Sequence, residues 1–139
     1  MQEKTIQEVM TPHPHTVKGR TILTSVVKLF EKHGFHHVLV VDDDGHLTGV
    51  ISSTDVDRTK SGASLFQNPN KEAYDDALLS TMMASDIMTS DVQVLQASDA
   101  ITKAYLLFKE NRFHAIPVIR DEGLVGIVTP LDLLDHFFA

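Results

Sequence analysis

The chain of 139 residues contains no cysteine. That excludes disulfides, thiolate metal centres and cysteine nucleophiles, and it is compatible with a reducing compartment. No apolar run approaches the roughly 20 residues that a membrane-spanning helix needs. The start, Met1-Gln2-Glu3-Lys4, has no basic stretch followed by an apolar one, so neither a signal peptide nor a membrane partner is expected and the expected location is cytoplasmic. Positive charge is also scarce. Twelve Lys and Arg stand against nineteen Asp and Glu, a formal charge of −7, which leaves no electrostatic footprint for sequence-independent nucleic-acid binding. Neither a Gly-x-x-x-x-Gly-Lys loop nor a Gly-x-Ser-x-Gly elbow occurs, and no placement of Asp and His suggests a nucleophile, base and oxyanion set, so an enzyme is not expected.

What the chain does have is an apolar fraction of 42%, enough to build a core, and an internal repeat. Val9-Met10-Thr11 returns as Ile87-Met88-Thr89. Phe30, Phe35-His36 and Val40 return at the same spacing as Phe108, Phe113-His114 and Val118. After one tight turn the spacing drops by a residue, and Gly49 to Asp55 matches Gly126 to Asp132. Each copy reads as a short extended piece (His15 to Val17; Val92 to Leu95), a helix, two strands and a second helix. In the first copy Ile22, Leu23, Val26, Val27 and Phe30 recur at helical spacing, with Thr21 as candidate N-cap and Gly34 as terminator. In the second, Ile101, Ala104, Tyr105 and Phe108 do so, with Ser98 as candidate cap. Val38 to Val41 and Leu47 to Ile51 flank Asp42-Asp43-Asp44-Gly45; Ile116 to Ile119 and Leu124 to Val128 flank Asp121-Glu122-Gly123. Both are hairpin signals between β-branched runs. The last helix, Leu131 to Phe138, carries Leu131, Leu134 and Phe138 on one side. Repeats at 1–60 and 84–139 are joined by 61–83, with loop at Ser61-Gly62-Ala63-Ser64, a candidate cap at Asn70 after Asn68-Pro69, and helical composition from Lys71 to Met82. This insertion reads as a connector; the alternative is a shield over a ligand site.

Ser52-x-x-Asp55 and Thr129-x-x-Asp132 fall between a strand and a helix. Ser or Thr followed three residues later by an acid is a capping box, and Pro130 at the first helical position fits it. The same geometry aims backbone N–H groups and the positive end of a helix dipole outward, which suits a phosphate, and sets a carboxylate where it can accept from two ribose hydroxyls. The two readings are compatible.

A duplicated β-α-β-β-α unit with these endings resembles the CBS (cystathionine-β-synthase) domain, and two in tandem resemble a Bateman module. The resemblance rests on Val9-Met10-Thr11, Phe35 to Asp42 and Gly49 to Asp55, and on Asp86 to Thr89, Phe113 to Val118 and Gly126 to Asp132. It implies an α+β fold of two repeats packed through their sheets about a pseudo-twofold axis, two clefts that take an adenosyl ligand, and a homodimer. It implies that Asp55 and Asp132 hold ribose and that Ser52, Thr54 and Thr129 bond ribose or phosphate. The adenine wall would be Pro14, His15, Thr16 and Val17 for the Asp132 cleft, and Asp91, Val92, Gln93 and Val94 for the Asp55 cleft. Two departures make the clefts unequal: Leu131 replaces Thr54, and Asp91 stands where the first copy has His13. Thr129, His114, His15 and Leu131 favour an adenosyl ligand at Asp132, while Ser52, Thr54, His36 and His37 offer more donors at Asp55.

His36, His37 and His114 precede the central strands, where basic residues of related modules reach phosphate; protonation would then strengthen binding as pH falls. Ordinary half-buried histidine is the plainer reading. His13-x-His15 is a possible metal pair, but no metal is expected. His33, His46 and His136 read as surface residues. The function expected is a regulatory module sensing AMP, ADP, ATP, S-adenosylmethionine or a nicotinamide dinucleotide, with no required cofactor and an effector protein in trans. The alternative is a dimerisation module with empty clefts, using the apolar run Leu133 to Phe138.

Overall fold

The computed structural model describes residues 3–34, 36–64 and 70–138, side chains 61–64 excepted. Phe35 and the 65–69 part of the insertion lie outside the described residues. Along the chain come α1 (Ile6–Val9), β1 (Thr11–Pro12), β2 (Thr16–Lys18), α2 (Leu23–His33), β3 (His37–Val41), β4 (Leu47–Ser52), α3 (Ser53–Ser64), α4 (Lys71–Ser80), α5 (Ala84–Ile87), β5 (Leu95–Gln96), α6 (Ile101–Lys109), β6 (Ile116–Arg120), β7 (Gly123–Val128) and α7 (Pro130–Phe138). They form two compact units, Met1–Pro14 with Gln93–Ala139, and His15–Val92.

In the first unit the sheet order is β1-β7-β6-β5. β6 pairs antiparallel with β7 and parallel with β5, and β1 pairs antiparallel with β7. In the second the order is β2-β3-β4, parallel then antiparallel, and Thr89 bridges Val50 much as Thr11 pairs with Ile127. Each unit has its own core. Ile6, Leu95, Ile101, Ala104, Ile116, Val118, Val128 and Leu133 fill one; Val17, Leu23, Val26, Val38, Val40, Ile51, Val56, Leu79 and Ala84 fill the other. The central strands are buried through Val38–Val41 and Ile116–Val118, as apolar β-branched runs covered on both faces should be.

Both hairpins form where expected, by different turn chemistry. Gly45 takes φ 82° after the Asp42 turn. In the second hairpin Arg120 pairs with Gly123, so the two turn residues are Asp121 and Glu122, at φ 50° and 71°. A two-residue turn matching strand twist needs positive φ at both centres, and here Gly123 is the first strand residue. Gly34 closes α2 at φ 69°, its N–H donating to the Phe30 carbonyl at 2.8 Å.

Several expectations are corrected. Thr21 and Ser98 are not N-caps; Ile22 and Ala100 hold those positions without side-chain caps. The helix starts are closed by backbone instead, Leu23 N–H to Met82 O at 2.9 Å and Ile101 N–H to Lys4 O at 3.0 Å. The Thr21 hydroxyl accepts from Lys18 N–H at 3.1 Å. The extended pieces shift to Thr16–Lys18 and to Leu95–Gln96, leaving Val92 and Val94 outside regular strand. Ser61–Ser64 is the end of α3 rather than loop. Asn70 does stand at the N-cap of α4, whose Asp75 and Leu79 face inward. In α7 the expected stripe of Leu131, Leu134 and Phe138 is exposed; Leu133 is the residue that enters the core. Among the described residues no helix is long and apolar enough to cross a membrane.

Candidate functional site

The two strand-to-helix junctions have the same construction. At the end of β4 the Ser52 N–H donates to Asp55 Oδ2 at 2.9 Å, and the Asp55 N–H donates back to Ser52 Oγ at 3.0 Å. At the start of α7 the Thr129 N–H donates to Asp132 Oδ2 at 2.9 Å, and the Asp132 N–H donates to Thr129 Oγ1 at 3.3 Å. Both are reciprocal capping boxes, with Pro130 at the first helical position of the second. Each box satisfies two otherwise orphaned groups and fixes its carboxylate against the helix start, where the dipole favours negative charge.

The other carboxylate oxygens differ. Asp132 Oδ1 accepts from the Thr11 hydroxyl at 3.1 Å, across 121 residues of sequence. Asp55 Oδ1 faces the Arg58 guanidinium at 3.4 Å. Sequence reading used Thr11 only as a repeat marker and passed over Arg58. Three residues on from an acid at a helix start is contact distance, so Arg58 was findable; Thr11 was not, because its pairing is long-range. The position matching Arg58 in the second copy is Asp135.

Thr11 is held by a close backbone approach. A Cβ on Gly126 would lie 3.0 Å from the Thr11 carbonyl and 3.0 Å from Met10 Cγ. In the other unit a Cβ on Gly49 would lie 3.0 Å from the Thr89 carbonyl and 2.6 Å from Met88 Sδ. The glycine of each Gly-to-Asp ending and the Met-Thr of each opening segment are therefore one contact, and the two partners come from different copies.

The remaining candidates fall as follows. In the His15–Val92 unit, His37 opens β3 opposite Ser52, and the His36 carbonyl accepts from Ser53 N–H at 2.8 Å, so both sit beside the first junction. Thr54 is exposed on the first turn of α3. His15 and Thr16 are exposed, and the His15 ring lies 4.3 Å from that of His33. Val17 is buried in the core, so its side chain lines no slot. Val92 is half-buried. In the other unit Val94 is half-buried and His114 is exposed ahead of β6. His33 is exposed as expected, with its pKa held below the usual value by desolvation and then by the neighbouring His15 and Lys32. His46 and His136 are half-buried. Asp42, Asp44 and His46 bring three potential ligand atoms within 4.8 Å of one another. Asp42 is committed locally: its Oδ1 accepts from the N–H groups of Asp44 and His46, both at 2.9 Å.

A family model described as the CBS domain matches residues 6–61 and again residues 84–139. The chain belongs to the CBS-domain family. This CBS-domain chain is 31% identical over 150 residues to the protein MJ1426 of Methanocaldococcus jannaschii, covering 94% of this chain and 89% of that one. It is 28% identical over 126 residues to a homoserine O-acetyltransferase of Methanocorpusculum labreanum, covering 90% of this chain but spanning 22% of that enzyme. Among solved structures, CBSX2 from Arabidopsis thaliana is similar with a TM-score of 0.82 at 25% identity, over 99% and 96% of the two chains. The structure of CBSX2 in complex with AMP gives 0.78 at 26% identity, over 96% of each chain. The two CBS matches take in both capping boxes, Thr11 and Thr89.

Proposed function

We propose that this chain is a non-catalytic regulatory module that binds an adenosine-containing ligand at the starts of α3 and α7. The candidates are AMP, ADP, ATP, S-adenosylmethionine and an NAD-type dinucleotide. The observation that carries the reading is the duplicated junction, a carboxylate and a hydroxyl fixed together at a helix N-terminus, supported by the likeness to CBSX2 in complex with AMP. In this reading 1–60 and 84–139 are the functional repeats and 61–83 connects them. Asp55 and Asp132 hold ribose, and Ser52, Thr54 and Thr129 bond ribose or phosphate. His15, Thr16, Val92, Val94 and the backbone of Val17 meet the base; His36, His37 and His114 approach phosphate. Arg58 beside Asp55, against Asp135 at the matching place, favours the phosphate-bearing ligand at Asp55. A homodimer passes the bound state to an effector protein.

Isothermal titration of nucleotide-free protein with AMP, ATP, S-adenosylmethionine and NADH at two pH values tests this. Binding on the order of micromolar, lost in Asp55→Ala or Asp132→Ala and stronger at the lower pH for phosphate-bearing ligands, is the expected result. No heat with any compound sinks it. A second reading, a dimerisation module, is favoured by the apolar surface of α6 and α7. A groove of about 420 Å³ runs between Tyr105, Phe108, Leu133, Leu134 and Phe137, and Phe138 is 83% exposed. Sedimentation of the same Asp variants separates the readings: under the sensor reading they lose the nucleotide response and keep their association state.

A further inference from the structure

One charged residue of the described chain is buried without a partner. Asp75 on α4 is 8% exposed, and its Oδ1 has no hydrogen-bond partner among the described residues. A carboxylate removed from water and left unpaired is costly. A ligand ammonium seated against it would supply the missing partner.

Asp75 lies in a groove of about 770 Å³ between α2, α3 and α4, with Thr24, Val27 and Leu79 beside it. That volume is within the usual range for small-molecule sites, about 300–1,000 Å³. Around it stand three lysines, Lys28, Lys60 and Lys71, and three further acids, Glu31, Glu72 and Asp76. Among the described residues none of these six side chains enters an ion pair. Lys71 is one helical turn from Asp75, a spacing at which pairing is easy, yet the pair is not made.

The mixture of charge selects the ligand class. A simple anion would have to approach a buried carboxylate. A polyamine would satisfy Asp75 but offer nothing to Lys28, Lys60 and Lys71. A compact molecule with an ammonium at one end and a carboxylate at the other satisfies both, the ammonium on Asp75 and the carboxylate on the lysines. We propose that the α2–α3–α4 groove binds a free α-amino acid, with Asp75 as the ammonium anchor, making α4 part of a second sensing site on residues other than the Ser52–Asp55 junction.

The test is thermal unfolding of the full chain with each of the standard protein L-amino acids at millimolar concentration, with putrescine and inorganic phosphate as single-sign controls. A ligand that binds the folded state alone raises Tm in proportion to the logarithm of its concentration. The expected result is a rise of several degrees with at least one amino acid, smaller in Lys28→Met and abolished in Asp75→Asn. Without ligand, Asp75→Asn should unfold at or above the wild-type temperature, because it removes an uncompensated charge. An Asp75→Asn variant that is less stable without ligand overturns the proposal, since Asp75 would then be an internal ion-pair partner. So does a response to putrescine or phosphate with none to any amino acid, and so does no response at all. AMP titration of the same variants separates this site from the adenosine site: Asp75→Asn should leave any nucleotide response unchanged.

Discussion

Replacing Gly126 by alanine probes how the chain places Thr11 on Asp132. A methyl group there would meet Met10 Cγ and the Thr11 carbonyl, each at 3.0 Å, and the Met10 sulfur closer still. The thioether can rotate away. The carbonyl cannot do so freely, because Thr11 is paired with Ile127 and Pro12 with Gly126 itself. Overpacking of this kind costs about 1–3 kcal/mol. A strand pushed outward also loosens the Thr11 hydroxyl bond to Asp132 Oδ1, worth about 0.5–1.5 kcal/mol. Taking about 2 kcal/mol as the central value, Tm for a chain of this length falls by about 7 °C. The assay is urea and thermal unfolding of Gly126→Ala beside Gly123→Ala, whose added methyl would find its nearest atom, the Arg120 carbonyl, at 3.5 Å. The Gly123 control should be neutral or slightly stabilised, since its backbone is not in the left-handed region and alanine reduces the freedom of the unfolded chain. Met10→Ala in the Gly126→Ala background should recover part of the loss, with a coupling of at least about 0.5 kcal/mol. If Gly126→Ala melts with the wild type, or if the two substitutions are additive, the close approach does not hold Thr11 in place.

Thr129→Ala should destabilise by about 1 kcal/mol, the worth of a helix cap, while Thr129→Ser should stay near wild type; urea midpoints at constant slope decide it, and equal stability of both variants would remove the cap from the account. For His33, desolvation and His15 hold the folded pKa below the ordinary 6.5. The unfolded chain therefore takes up the proton first, so stability is full above about 6.5 and declines as pH falls from there toward the lowered folded pKa. Unfolding midpoints against pH should show this slope in wild type and a smaller one in His33→Gln; equal slopes would assign the effect elsewhere.

Much of the architecture was legible because it is local and stated twice. The β-branched runs gave the central strands, Gly34 marked the end of α2, and both capping boxes followed from acid spacing alone. The errors have a common cause in tertiary contact. Thr21 and Ser98 are good cap residues, but backbone carbonyls from Met82 and Lys4 reached the helix starts first. Ser61 to Ser64 has loop composition, yet α3 runs through it beside α4. Leu131, Leu134 and Phe138 have core chemistry and exposed positions, which period alone cannot distinguish from a buried stripe. Asp75 is the reverse case, an acid in a polar-looking helix that faces inward.

The exchange between copies explains why the repeat, easy to see, still misleads about the site. In sequence, Met10-Thr11 belongs to the first copy and Gly126 to Asp132 to the second. In space they share one unit, with Ile6 fully buried in that unit's core. Met88-Thr89 and Gly49 repeat the arrangement in the other unit, where Ala84 is fully buried. The backbone bonds follow the same rule. Ile6 N–H reaches Asp99 O at 2.8 Å, and Ala84 N–H reaches Thr21 O at 2.8 Å. Each unit thus takes its opening segment from the copy other than the one that supplies its hairpin and carboxylate. The hydroxyl that bonds Asp132 arrives from the start of the chain, so no window of sequence around Asp132, however long within its own copy, contains its partner. Substitutions at Met10 or Thr11 should accordingly be judged by what they do at Asp132, and those at Met88 or Thr89 by what they do at Gly49.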